Sequence, residues 1–172
     1  MKQFMFESNG TLKKHSTLDR NSFYSELEKE LLPTLDQVWF TNLSNTAAIL
    51  WHYLPDINWV GFYLNKNEKL WLGPFQGLPA CLMIDFSRGV CGKSARTRSS
   101  VVVEDIHTFE GHIACDSNSR SEIVIPLILE NRLLGVLDVD SPNLARFNEE
   151  DRVGLEKIVR ELVRVTRWPE EF

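Results

Sequence analysis

The chain has no run of basic residues, no long apolar stretch, no Cys-x-x-Cys pair and no internal repeat. Each absence removes a class of function. Lys and Arg are scattered and the formal net charge is −5, so no basic stripe can neutralise a phosphate backbone, and no nucleic acid is expected as a partner. Met1-Lys2-Gln3-Phe4-Met5-Phe6 runs into Glu7, Ser8, Asn9 and Gly10 before the apolar core of a signal peptide is built, and no later segment approaches a membrane span. A cytoplasmic protein with no membrane partner is expected. Cysteine is scarce, at three residues, and in a reducing compartment disulfides between such thiols are usually transient and catalytic. Without a Cys-x-x-Cys pair, a zinc site of three cysteines and His112 would have to gather its ligands from scattered segments, so no metal is expected. His112, in a Gly-rich loop, reads as a backbone organiser and not as a base.

What is present describes one folded domain. Hydrophobic residues make up 43% and charged residues 25% of 172 positions, which suits a soluble globular chain with a single core. Residues 1–18 read as an N-terminal arm, 19–168 as the domain and 169–172 as a tail. Phe23, Leu27 and Leu31 recur at helical spacing between Asn21 and Leu32, and Pro33 ends that run. A second helix is expected from about Leu35 to Tyr53, with Val38, Phe40, Leu43, Ala47, Ile49 and Leu50 as its apolar stripe. Strands are expected at 58–64, 70–75, 82–86, 100–103, 122–129 and 133–139, with hairpin turns at Asn65-Lys66-Asn67-Glu68 and Glu130-Asn131. A short helix at Val90–Thr97 and a closing one from Asn148 to about Trp168 complete the pattern, the latter with Val153, Leu155, Ile158, Leu162 and Val165 inward. Residues 104–121 read as a functional loop. The fold class is α+β: a central, mainly antiparallel sheet flanked by N- and C-terminal helices.

The tract Asn131-Arg132-Leu133-Leu134-Gly135-Val136-Leu137-Asp138-Val139-Asp140-Ser141, followed by Phe147-Asn148-Glu149-Glu150-Asp151, resembles the closing hairpin and helix of a GAF domain. GAF domains bind many small molecules, so this likeness alone leaves function open. Upstream lie Asn58-Trp59-Val60-Gly61-Phe62-Tyr63-Leu64, Leu72-Gly73-Pro74-Phe75-Gln76-Gly77, Pro79-Ala80-Cys81, Val90-Cys91-Gly92, Gly111-His112-Ile113-Ala114-Cys115-Asp116-Ser117 and Ser121-Glu122-Ile123-Val124. Together these motifs, in order across roughly residues 20–165, resemble the free methionine-(R)-sulfoxide reductases, which are single-domain GAF enzymes.

Reduction of a sulfoxide needs a thiolate to attack sulfur and an acid to protonate the departing oxygen. Cys115 sits in the expected loop and Glu122 seven residues on, while Asp138 and Asp140, two apart in a strand, share a face. Clustered carboxylates raise one another's pKa, so one can keep its proton near neutrality. The resemblance implies that Glu122, Asp138 and Asp140 engage the sulfoxide oxygen and that Trp59 and Tyr63, also on one face, line the methyl end of the substrate. It further implies that Cys81 lies near Cys115, resolves the sulfenic acid formed there, and yields a disulfide recycled by thioredoxin, with no bound cofactor.

Cys91 opens a helix whose N-terminus would lower its pKa, whereas Asp116 would raise that of Cys115. Cys115 is taken as nucleophile and Cys81 as resolver, with Cys91 a second resolver, an alternative nucleophile or an inert buried residue. Other readings stay open: carboxylates solvated at strand ends, aromatics serving only as core, a non-catalytic GAF sensor, or a cysteine redox switch. Arg132 and Arg152 depart from the Lys and Glu of the common GAF signature, which weakens a cyclic-nucleotide reading. Spacing does not fix the oligomeric state, so a homodimer is left open.

Overall fold

A computed structural model describes residues 18–109 and 118–172. Asp19 starts the first helix, α1 (Arg20–Leu31), by accepting a hydrogen bond from the Ser22 N–H at 3.0 Å, which satisfies one of the free donors at a helix N-terminus. Phe23, Leu27 and Leu31 are buried, as their spacing predicts. Pro33 then sits in a single 3-10 turn, Leu32–Thr34.

The second helix, α2 (Trp39–Tyr53), begins four residues later than the apolar stripe suggests. The Asn42 side chain brackets the extended segment before it, accepting from the Asp36 N–H and donating to the Asp36 carbonyl and to Thr166 Oγ1. Val38 pairs in parallel with Arg167. Val38 and Phe40 are therefore exposed, at 54% and 57%, and the stripe reaching the core begins at Leu43.

Six antiparallel strands follow: β1 (Trp59–Lys66), β2 (Lys69–Gly77), β3 (Met83–Asp85), β4 (Val101–Val103), β5 (Ser121–Leu129) and β6 (Arg132–Ser141). Their order across the sheet is β3-β2-β1-β6-β5-β4. Asn67 and Glu68, between β1 and β2, both have positive φ, the conformation of the tight turn that matches strand twist. Helix α3 (Gly89–Thr97) joins β3 to β4, and a 3-10 turn, Ile106–Thr108, occupies part of the expected loop.

Helix α4 (Glu149–Val165) closes the fold behind a reciprocal cap between Asn148 and Asp151. Its buried face carries Leu155, Ile158, Val159, Leu162 and Val163, whereas Val153 points to solvent. The sheet separates two apolar layers. Helices α1, α2 and α4 pack on one face with Val60, Phe62 and Leu64, and α3 packs on the other with Trp59, Tyr63 and Val124. Among the described residues no helix is long and apolar enough to cross a membrane.

Candidate active site

Strand register assembles the site on the α3 side of the sheet. Trp59 of β1, Asp140 of β6 and Glu122 of β5 are consecutive cross-strand partners, and Val103 of β4 lies beyond. One pleat along, Gly61, Asp138, Val124 and Val101 form a second row. Residues two apart on a strand share a face. The three carboxylates expected from the sequence thus stand together on the β5–β6 hairpin, with Trp59 brought to them from β1, far earlier in the chain.

Gly61 makes room for the aromatic wall. A Cβ there would fall 2.6 Å from Trp59 Cη2 and 2.4 Å from Phe75 Cβ, so only glycine lets the indole lie across this position. Trp59 stacks on Tyr63 at 5.9 Å and on Phe75 at 5.5 Å between ring centroids. The Trp59 indole N–H donates to the Leu78 carbonyl and the Tyr63 hydroxyl to the Cys81 carbonyl, each at 3.1 Å. These bonds fold the segment after β2 over the sheet. Beneath it lies a cavity of about 20 Å³ lined by Trp59, Tyr63, Leu78, Pro79, Ala80, Asp138 and Asp140. Phe75 and the Leu78–Ala80 wall were not among the expected site residues; only the β1–β2 register brings Phe75 opposite Gly61.

Cys91 is the third residue of α3 and is buried. Gly92 permits this: a Cβ there would stand 2.7 Å from the Asp85 carbonyl oxygen and 2.8 Å from that of Phe86, so the helix docks directly on backbone. Cys91 Sγ lies 3.9 Å from Glu122 Oε1. One ligand atom each of Cys91, Glu122 and Asp138 falls within 4.8 Å of the others.

Burial dominates the electrostatics. Glu122 and Asp138 are each only 6% exposed, so they are not solvated strand-end acids. Burial, then the charges of Asp138 and Asp140, push the Glu122 carboxyl well above its ordinary range. Burial raises Asp138 to about 6, against hydrogen bonds from Cys91 and Glu122 that lower it. Both acids are thus pushed toward the protonated form, and Glu122 has the charges of two neighbouring aspartates as a further cause. Burial, with Asp138 and Glu122 next, also pushes the Cys91 thiol well up. That reverses the lowering expected from the helix N-terminus, because desolvation beside carboxylates outweighs a helix dipole.

Cys81 is half-buried and disulfide-bonded, and Asp140 is half-buried at the cavity. Cys115 and His112 lie outside the described residues, as does most of the arm.

Comparison with known proteins places this geometry in a lineage. A family model for the GAF domain matches residues 55–164. The free methionine-R-sulfoxide reductase of Escherichia coli (strain K12) is 44% identical, over 86% of this chain and 91% of its own. That of Saccharomyces cerevisiae is 43% identical, over 71% and 72% respectively. The X-ray structure of the free methionine-R-sulfoxide reductase from Neisseria meningitidis in complex with its substrate superposes with a TM-score of 0.79 at 41% identity, covering 87% of this chain and 91% of that one. The chain belongs to the GAF-domain family and, within it, to the free methionine-R-sulfoxide reductases.

Proposed function

We propose that this protein reduces free L-methionine-(R)-sulfoxide to L-methionine, with Cys115 as attacking thiolate, Glu122 as proton donor and Cys81 as resolving thiol. The observation that carries the reading is the buried carboxyl pair beside an aromatic-walled cavity, with burial and neighbouring charge raising Glu122 well above its ordinary range. A sulfoxide oxygen leaves only when protonated, and the raised Glu122 is suited to supply that proton. The stacked faces of Trp59 and Tyr63 attract a partly positive sulfur. Asp140, half-buried at the same wall, adds negative charge that keeps Glu122 protonated.

In the proposed cycle the Cys115 thiolate bonds to the substrate sulfur while Glu122 protonates the oxygen. The hydroxyl then passes to the Cys115 sulfur as the substrate S–O bond and the new S–S bond both break, so that methionine departs and Cys115 is left as a sulfenic acid. The Cys81 thiol displaces water from it, and the disulfide is returned to two thiols by exchange with thioredoxin. The disulfide-bonded state of Cys81 supports that role. Cys91, held as a protonated thiol, is a poor nucleophile, which favours Cys115 for the attack. The cycle needs no bound cofactor and suits the cytoplasm, where thioredoxin keeps thiols reduced.

The test mixes reduced protein with free L-methionine-(R)-sulfoxide and counts thiols and methionine. Two thiols lost per methionine formed is the expected result. Thiol loss with peroxide but not with sulfoxide would indicate a redox switch, and binding without thiol loss a sensor.

A further inference from the structure

The zinc site dismissed from the sequence required three cysteines and a histidine. The fold assembles a different donor set. Cys91 Sγ and one oxygen each from Glu122 and Asp138 approach within 4.8 Å of one another, all three side chains buried. In a tetrahedral zinc site, ligand distances of about 2.3 Å to sulfur and about 2.0 Å to oxygen place those two atoms roughly 3.5 Å apart. The Cys91 Sγ to Glu122 Oε1 separation is 3.9 Å and all three donors lie within 4.8 Å of one another, so the side chains must draw together by a few tenths of an ångström at that pair and by up to about 1.3 Å elsewhere to close the site.

A second observation points to a missing partner. Asp138 Oδ1 is buried with no hydrogen-bond partner, on a residue only 6% exposed that also lines the small cavity. Among the described residues no ion pair joins Glu122 or Asp138 to a lysine, arginine or histidine. A buried group of acids with an orphaned oxygen and no cationic side chain is suited to a cation.

We propose that in the reduced protein Cys91, Glu122 and Asp138 bind one borderline divalent cation of the Zn²⁺ class, through the Cys91 sulfur and one oxygen of each carboxylate. The thiol excludes Mg²⁺ and Ca²⁺, which require shells of oxygen. Three protein ligands leave a fourth place for water. Binding displaces the thiol proton and the carboxyl proton to solvent. Because the metal takes the place of the Glu122 proton, metal and sulfoxide exclude one another; this last clause rests on the reductase reading, whereas the site itself does not.

The experiment uses the full chain carrying Cys81→Ser and Cys115→Ser, in which Cys91 is the one remaining thiol. Titration with Co²⁺ should show one ion per chain and a thiolate-to-cobalt charge-transfer absorption, bleached by equimolar Zn²⁺ and untouched by Mg²⁺. Adding Cys91→Ser should abolish the absorption and weaken Zn²⁺ binding by ~100-fold or more, beyond the loss that outer-shell changes produce. Absence of uptake, uptake without the charge-transfer band, or a band that survives Cys91→Ser overturns the site. In the wild type, Zn²⁺ should stop methionine formation and a chelator restore it. Binding in the double variant with full wild-type turnover in Zn²⁺ overturns the exclusion, and binding with a wild type inert toward sulfoxide leaves the site standing while the reductase reading falls.

Discussion

At the scale of single residues, the site depends on two adjacent buried acids, both raised above the ordinary carboxylate range. Burial and the charges of Asp138 and Asp140 push Glu122 well above its ordinary range, while burial raises Asp138 to about 6. Glu122→Gln keeps the shape and removes the transferable proton. Single-turnover methionine formation should fall by ~10²-fold or more, the usual worth of a general acid, while alkylation of the reactive thiol by iodoacetamide changes little. Equal losses in both assays would assign Glu122 to folding. Asp138 yields a stability prediction of definite sign. Its folded pKa stands above the ordinary 3.8, so its contribution to stability is full below that ordinary value and is lost as pH rises through about 6. Asp138→Asn removes the cost of a buried charge. The variant should melt ~5 °C above wild type at pH 7.5 and show no advantage at pH 4, as read by thermal denaturation at both pH values. A gap that persists at acid pH would mean that packing, not ionisation, sets the difference.

At the scale of elements, much was legible because it is local. Period-2 alternation put Trp59 with Tyr63 and Asp138 with Asp140 on shared faces, and the sheet keeps both pairs so. Alternation cannot reveal that β6 lies between β1 and β5, and that order is what sets Asp140 between Trp59 and Glu122. The start of α2 was misplaced because the Asn42 bracket on Asp36 is closed by Thr166, far along the chain. The ionisation of Cys91 was misjudged for a similar reason: a helix N-terminus is visible in sequence, whereas burial against two strands is not. Gly92 appeared in the motif Val90-Cys91-Gly92 without a role; the structure gives it one, since its missing Cβ lets α3 rest on the Asp85 and Phe86 carbonyls. Gly92→Ala should therefore lift α3, cost about 1–3 kcal/mol, and expose the Cys91 thiol. Thiol-reagent kinetics on the double Cys81→Ser, Cys115→Ser variant should quicken ~10-fold. Unchanged reactivity and melting would show that the helix yields without moving Cys91.

At the scale of the whole molecule, a buried ionic junction ties α1 and α4 to the segment after α2 and to the start of β5. Asp151, fully buried at the start of α4, accepts from the Tyr24 hydroxyl at 2.8 Å and from the Arg146 guanidinium at 3.1 Å, with Arg20 at 3.5 Å. Gly154 lets the Tyr24 ring lie directly against α4, where a Cβ would come within 2.2 Å of Tyr24 Cγ. Arg146 reaches onward, its Nε donating to the Pro55 carbonyl and its backbone N–H to Ser121 Oγ, one residue before Glu122. Removing the carboxylate leaves Arg146 charged and buried, and breaking such a pair from one side costs about 3–5 kcal/mol. Asp151→Ala should show that loss in denaturant unfolding. Because the junction lies across the sheet from Cys91, Asp138 and the cavity, the protein that remains folded at low temperature should reduce sulfoxide with kcat/KM within ~2-fold of wild type. A large fall in kcat/KM in the fully folded variant would instead mean that the Arg146–Ser121 link positions Glu122, and that the two layers of the fold act as one unit in catalysis.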